Sequence, residues 1–221
     1  MDKNEIISDV EDVELVERRR AQIVAAATLL FSRNGFYKTT IKDIAKAAGV
    51  SAGLVYLYVR EKEDVLLLTL LQVLNAYAVE IPKAIKDVEQ PMDRLVRAID
   101  AYCRVVDSHA EATVLAYRST KSLAPKRRLI VQQRELETNS IISGIIIECM
   151  DQGLIKRMNV DILTYQVVLI AHGWALKGWY FKSRLDLNEY ISGSIENVFS
   201  GILTPDGRES YESSILAEGK Q

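Results

Sequence analysis

The stretch "TIKDIAKAAGVSAGLVYLY", residues 40–58, constrains this chain more than any other, because it sets two short helical patterns either side of one glycine. Thr40 is an N-cap, Ile41, Ile44, Ala45 and Ala48 fall on one face, and Lys42 and Lys46 fall on the other. Gly49 ends the first helix, and Ser51 caps the second two residues later. Two short helices joined by a three- or four-residue turn containing Gly make a helix-turn-helix. The second helix of such a pair enters the major groove of DNA, with its N-terminal residues at base edges. A preceding helix is predicted from about Glu17 to Asn34: Ile23, Ala27, Leu30 and Phe31 make its apolar stripe, and Asn34-Gly35 supplies a left-handed stop.

The same stretch names candidate contacts. Ser51, Ala52 and Gly53 are small enough for the helix end to approach DNA closely. Tyr56 and Tyr58, two apart, do not share a helix face, so one of them is not a core residue. A phenol there can rest its ring on sugar and give its hydroxyl to a phosphate. Lys62 falls in the first turn of the next helix, where a cation opposes the helix dipole. That position suits a lysine if a phosphate is bound at the same helix end, with Glu63 and Asp64 offsetting part of the dipole penalty.

Charge agrees with a nucleic-acid binder, although the chain as a whole carries a net charge of only -2. Residues 1–17 hold seven acidic residues against Lys3, a local -6, whereas residues 18–62 hold nine basic residues against Asp43 and Glu61, a local +7. A basic module on a mildly acidic body is the electrostatic footprint of a DNA-binding protein whose overall balance conceals it.

The run from Arg20 to Leu67 resembles the DNA-binding domain of the tetracycline-repressor (TetR/AcrR) family of bacterial transcription regulators. The resemblance is carried by Gly35-Phe36, Thr39-Thr40, Ile44-Ala45, Ala48-Gly49-Val50-Ser51, Tyr56-x-Tyr58 and Lys62-Glu63-Asp64-Val65-Leu66, in order and without a gap. It implies a nine- or ten-helix homodimer whose first three helices read DNA. It also implies phosphate contacts at Thr40, Tyr56, Tyr58 and Lys62, and base-facing positions at Lys42, Ala52, Gly53 and Leu54. Val59 stands where Phe is common in the family, and Glu61 where Asn or Ser caps the fourth helix.

Beyond Pro82 the helical pattern continues. Leu95, Ile99, Tyr102, Cys103 and Val106 are spaced for one buried face, and residues 135–151 and 162–181 are apolar on more than one face. Helices of that kind are buried on both sides, in a large core or across a subunit seam, and a two-fold dimer is the default symmetry. The segments "YRSTKSLAPKRR" and "HGWALKGWYFKSRLDLNEYI" resemble the subgroup of the family that governs fatty-acid and steroid breakdown, in which acyl-coenzyme A thioesters are effectors. The resemblance implies an effector site using Tyr117, Arg118, Trp174 and Trp179, with Lys121, Lys126, Arg127 and Arg128 as further cations for the phosphates. His172, on an apolar helix, reads as a core histidine.

Ala, Leu, Ile, Lys and Glu dominate, strand-like alternation does not recur, and only four prolines interrupt the chain, so the expected fold is all-α. The expected organisation is an acidic flexible arm over 1–16, a helix-turn-helix domain over 17–63, a helical effector-binding and dimerisation domain over 64–204, and a frayed polar tail over 205–221. No Gly-rich phosphate loop, HExxH pair or nucleophile elbow is present, and neither His109 nor His172 has a triad partner in sequence. Catalytic residues, metal ligands and cofactors are therefore not expected. The two cysteines are in no metal or redox spacing and suit a reducing compartment. The acidic start lacks the features of a signal peptide, and Gln166, His172 and Lys177 interrupt the most apolar stretch, so a cytoplasmic protein without a membrane span is expected. The functional expectation is a repressor bound to palindromic operator DNA as a homodimer and released by a small hydrophobic effector, acyl-CoA being one class. A helical lipid-binding protein with a vestigial helix-turn-helix, or a ligand-dependent activator, are the alternatives.

Overall fold

The computed structural model describes residues 6–218, and among them every named element is helical. The order is α1 (Val13–Asn34), α2 (Ile41–Ala47), α3 (Ala52–Tyr56), α4 (Lys62–Ile85), α5 (Pro91–Ser108), α6 (Ala110–Ser119), α7 (Pro125–Asp151), α8 (Val160–Leu176), α9 (Gly178–Phe181), α10 (Leu187–Ile202) and α11 (Pro205–Glu218), with a 3-10 turn at Thr120–Ser122. The chain forms two compact units. One takes the chain up to Val73 together with Glu111–Arg134; the other takes Leu74–Ala110 and everything from Glu135 on. These units are drawn differently from the expected division at residue 63, because α4 and α7 each contribute to both.

In the first unit α1 begins four residues earlier than its apolar stripe suggests. Asp12 is its N-cap, accepting the Leu15 N–H at 3.0 Å. The helix ends at Gly35, whose φ of +83° favours glycine. Of the predicted stripe Ile23, Ala27 and Phe31 are buried and Leu30 is half-buried, and α1 packs on α2, and α2 on α3.

The acidic arm is not free over its described part, which is a correction; residues 1–5 lie outside the described residues. Ile6 is buried, the Asp9 N–H donates to the Leu57 carbonyl at 2.9 Å, and the Ser8 hydroxyl donates to the same oxygen at 3.1 Å. Arg20 on α1 completes the attachment, donating from Nη2 to the Ile6 carbonyl at 2.8 Å and from Nε to the Tyr58 carbonyl at 3.1 Å. An apolar anchor and backbone hydrogen bonds outweigh the acidic composition from which mobility was inferred.

In the second unit α5 is the central helix, burying Met92, Leu95, Ile99, Tyr102, Cys103 and Val106 and packing against α8, α10 and α11. The apolar run 162–181 is two helices rather than one: α8 stops at Leu176, Lys177 caps it with a bond to the Gly173 carbonyl, and α9 follows. Tyr190 on α10 lies so close to α8 that a Cβ on Gly173 would sit 2.8 Å from its hydroxyl, which donates to the Ile170 carbonyl at 2.7 Å.

The expected frayed tail is helix α11, a second correction, with residues 219–221 outside the described residues. Tyr211 is buried with its ring 5.1 Å from that of Phe199. A Cβ on Gly207 would fall 1.9 Å from the Leu154 carbonyl oxygen, so only glycine permits this approach. Thr204 donates its hydroxyl to the Gly153 carbonyl at 2.7 Å, fixing the entry to α11. Polar composition concealed one small residue and one aromatic that dock the segment.

α4 is long and apolar enough to cross a membrane, by composition alone. Its apolar positions Val65, Leu66, Leu67, Leu70 and Val73 are buried in the first unit, and Tyr77 and Ile81 in the second, as in a core helix.

Candidate nucleic-acid interface

Helices of seven and five residues have little stability of their own, so α2 and α3 depend on caps and on neighbours. Thr40 and Asp43 form a capping box: the Asp43 N–H donates to Thr40 Oγ1 at 3.2 Å, and the Thr40 N–H donates to Asp43 Oδ2 at 2.9 Å. The Thr40 hydroxyl also donates to Asp43 Oδ2 at 2.7 Å. These hydrogen bonds from Thr40, side chain before backbone, hold the Asp43 carboxyl below its ordinary pKa. Ser51 caps α3 by accepting the Leu54 N–H at 3.1 Å, Gly49 makes the turn at φ +69°, and Gln22 on α1 donates to the Ala48 carbonyl at 2.7 Å. Ile41, Ile44, Ala45 and Val55 are buried beneath this frame.

The opposite face carries most of the predicted contacts. Thr40, Lys42, Ser51, Gly53 and Tyr56 are exposed and Ala52 and Leu54 are half-buried, so the structure brings these positions together on α2 and α3. The tyrosines divide: Tyr56 is 49% exposed, whereas Tyr58 is 3% exposed. Tyr58 is therefore corrected from a phosphate contact to a core residue.

Lys62 requires the larger correction. Its ammonium donates to the carbonyls of Phe36 and Thr39, each at 2.8 Å, and of Tyr37 at 3.3 Å, and stands 4.4 Å from the Phe36 ring centroid. Three carbonyls match the three N–H donors of a lysine, so this side chain clamps the turn before α2 instead of presenting a charge to phosphate. The cation at a helix start, which suggested an external anion, is satisfied by carbonyl oxygens of its own chain.

Two further charged residues, whose partners the sequence did not reveal, complete the start of α4. Asp64 is buried and accepts the N–H groups of Arg60 (2.8 Å) and Glu61 (3.1 Å), so it reaches back to hold the turn that leads into α4. Arg127, in the first turn of α7, meets Glu61 Oε1 at 2.5 Å, Glu63 Oε2 at 3.2 Å and Asp64 Oδ1 at 2.5 Å. Burial alone would lower the Arg127 pKa; the hydrogen bond that Arg127 donates to Glu61 and the charges of Asp64 and Glu61 outweigh it and raise it. An acid at the third position of the helix was a readable signal for Asp64, but a partner more than sixty residues away left no mark in the spacing.

The effector residues implied by the resemblance are divided between the two units. Tyr117 and Arg118 are exposed on α6 in the first unit. In the second unit Trp174 is buried, donating to Asp107 Oδ1 at 2.7 Å, while Trp179 is 78% exposed, so the two indoles do not share a wall. Lys182 also donates to Asp107 at 2.7 Å, and these two hydrogen bonds, Lys182 first, hold that carboxyl below its usual range. Arg127 is engaged by carboxylates and Arg128 by the carbonyls of Lys121 and Leu123, which removes both as ready partners for a coenzyme phosphate.

The second unit instead holds two features that the sequence did not reveal. A cleft of about 580 Å³ between α4 and α5 is lined by Glu80, Lys83, Arg104 and His109 among others. Deeper, Tyr77 and Tyr102 stack with ring centroids 4.3 Å apart, and their hydroxyls lie 3.5 and 3.4 Å from His172 Nε2. Burial pushes the His172 pKa down to about 4, so the imidazole is neutral near pH 7. His172 is a core histidine, as its helix suggested. Among the described residues no cluster of His, Cys, Asp or Glu is placed to hold a metal ion.

Comparison with known proteins agrees with this arrangement. The family model described as bacterial regulatory proteins, tetR family, matches residues 23–68, and a tetracyclin repressor-like C-terminal domain matches residues 88–182. The HTH-type transcriptional regulator HbdR of Aromatoleum sp. (strain CIB) is 47% identical over 201 residues, covering 91% of this chain and 88% of that protein. The fatty acid metabolism regulator protein of Bacillus subtilis (strain 168) is 26% identical over 184 residues, covering 82% and 94%. The fold is shared with the ketosteroid transcriptional regulator KstR2 of Mycobacterium tuberculosis (TM-score 0.72, 18% identity, 90% of this chain and 99% of that one). It is shared also with AibR, solved in complex with isovaleryl coenzyme A and operator DNA (TM-score 0.73, 16% identity, 82% and 98%). Two matched domains in series and a relative of nearly half identity along almost the whole chain establish that this protein belongs to the tetR family of bacterial transcriptional regulators.

Proposed function

We propose that the chain is a ligand-responsive repressor that binds palindromic operator DNA as a homodimer through α2 and α3 and leaves it when a small hydrophobic effector of the acyl-CoA class binds the body. The observation that carries the DNA-binding part is the two-sidedness of α2 and α3: a buried apolar floor with Lys42, Ser51, Gly53 and Tyr56 exposed above it. Lys42 supplies the cation for base edge or phosphate, the small residues let the helix end approach, and Tyr56 gives its hydroxyl to the backbone. Ala52 and Leu54 offer apolar contact for thymine methyls.

Dimerisation is assigned to α8. Ile162, Tyr165 and Leu169, spaced i, i+3, i+7, are exposed, while Leu163, Val167, Val168 and Ala171 are buried in the same unit. A helix apolar on both sides needs a second body, and a two-fold copy supplies one. Such a dimer would set its two recognition helices about 34–36 Å apart, one turn of B-DNA. The effector class rests on AibR, whose structure holds isovaleryl coenzyme A, and on the relative that regulates fatty acid metabolism.

The test selects duplexes from a random pool with the purified protein, then measures their release. A saturating acyl-CoA thioester should raise the melting temperature of the dimer by on the order of 5 °C and release the selected duplex, whereas free CoA and the free acid should do neither. Selection that yields no palindrome overturns the operator reading, and release by an unrelated ligand class alone overturns the acyl-CoA assignment.

A further inference from the structure

Four consecutive residues at the start of α4 are engaged in two directions. Lys62 reaches the turn before α2 through the carbonyls of Phe36, Tyr37 and Thr39. Glu61, Glu63 and Asp64 turn to the first residues of α7: all three meet Arg127, and Glu63 also accepts the Ala124 N–H at 3.2 Å. Thr39, held by Lys62, precedes Thr40, the N-cap of α2, and its hydroxyl donates to the Gly35 carbonyl at 2.9 Å. The first turns of α7 belong to the same compact unit as α1, α2 and α3, and the same helix continues through residues of the second unit.

We propose that Arg127 is a positioning residue for DNA recognition: through the joint Glu61–Asp64 it fixes the start of α4, and hence the Lys62 clamp that presents α2 to DNA. The inference rests on the DNA-binding reading above. Its physical basis is the geometry of the guanidinium, whose fork engages three carboxylates at once; a lysine at 127 would keep the charge and lose the fork. A displacement of α7 must carry Arg127 with it, and the carboxylates either follow or lose their partner. Because Asp64 both pairs with Arg127 and accepts the backbone N–H groups of Arg60 and Glu61, losing the pair disturbs the same backbone that carries Lys62.

The experiment compares full-length wild type with Arg127→Met, Arg127→Lys, Lys62→Met and the double variant Arg127→Met/Lys62→Met. Fluorescence anisotropy is read on the duplex selected by wild type and on an unselected duplex of equal length, across a salt series. Lys126→Ala removes a neighbouring exposed charge as the control. Each Met variant should lower affinity for the selected duplex by about tenfold, a size typical of coupled contacts, and the double variant should lose little more than the worse single one. The slope of log K against log salt should stay at the wild-type value, because neither side chain touches phosphate; a direct phosphate contact would reduce it by about one. Arg127→Lys should fall between wild type and Arg127→Met. Affinity within twofold of wild type for a folded Arg127→Met, additive losses in the double variant, or a reduced salt slope would each overturn the proposal. If Arg127→Met does not fold, Glu61→Gln/Glu63→Gln keeps the buried Asp64 pair and should show a smaller loss in the same direction; no loss there overturns it equally. Failure of wild type to bind any duplex would instead sink the DNA-binding reading itself.

Discussion

Residues 36–64 and residues 160–182 are both helical segments with apolar faces, yet different forces hold them. The first is kept in shape by polar ties over short distances: the Thr40–Asp43 box, the Ser51 cap, Asp64 reaching back over Arg60 and Glu61, and Lys62 on three carbonyls. The second is one 17-residue helix with a short continuation, held by burial against α5 and α10 and carrying a single histidine inside. Short helices cannot nucleate alone, so their information sits in capping residues at set spacing. A long buried helix needs only an apolar surface, and many sequences supply one.

The comparison breaks at its strongest if Asp64→Ala is harmless. That change removes the acceptor for two N–H groups and the buried one of Arg127's three carboxylates, so unfolding in urea should show a loss of about 2–3 kcal/mol, the range for leaving buried donors unsatisfied. A loss under about 1 kcal/mol would mean that the polar ties of the first segment merely decorate its packing.

The second segment should instead be sensitive to acid. The folded His172 pKa of about 4 lies below the ordinary 6.5, so the unfolded chain takes up a proton that the folded chain refuses. The stabilising difference is full above about pH 6.5 and is lost as pH falls toward 4, on the order of 3 kcal/mol in all. Denaturation curves between those pH values should show His172→Phe with one proton less of acid dependence than wild type. An unchanged dependence would move the acid sensitivity elsewhere.

The smallest effect on stability sharpens the contrast from the other side. Tyr56 is half exposed and has no cap to lose, so Tyr56→Ala should change unfolding by no more than about 0.5 kcal/mol while affinity for the selected duplex falls sharply. A folded variant that binds DNA fully would return the tyrosine to a structural role.

Much of the first segment was legible because its chemistry is local. The caps at Thr40 and Ser51, the glycine stops at Gly35 and Gly49, and the inward faces of α1 and α2 all appear where the spacing put them. That one tyrosine of the pair must leave the core was also legible; which one was not, because the end of α3 turns Tyr58 inward. Lys62 was placed at the right helix start and given the wrong partner, since carbonyl oxygens satisfy an ammonium as well as a phosphate does and composition does not tell them apart. For the body, the buried face of α5 was legible, but the different settings of Trp174 and Trp179 were not. Aromatic residues on different helices share a wall only if three-dimensional packing turns them to it, and here Trp174 turns inward to Asp107 while Trp179 faces solvent.

The sequence alone determined that the chain is helical, where α2 and α3 are capped, and which face of α2 is buried, because caps, glycine stops and 3.6-residue periodicity act within a few residues of one another. Only the tertiary structure decided what the charges do. Arg127 finds Glu61, Glu63 and Asp64, Lys62 finds the carbonyls of Phe36, Tyr37 and Thr39, and His172 loses its charge between two tyrosines, because each outcome depends on groups brought together from distant parts of the chain. Desolvation and charge pairing depend on distance in space, which sequence spacing does not measure.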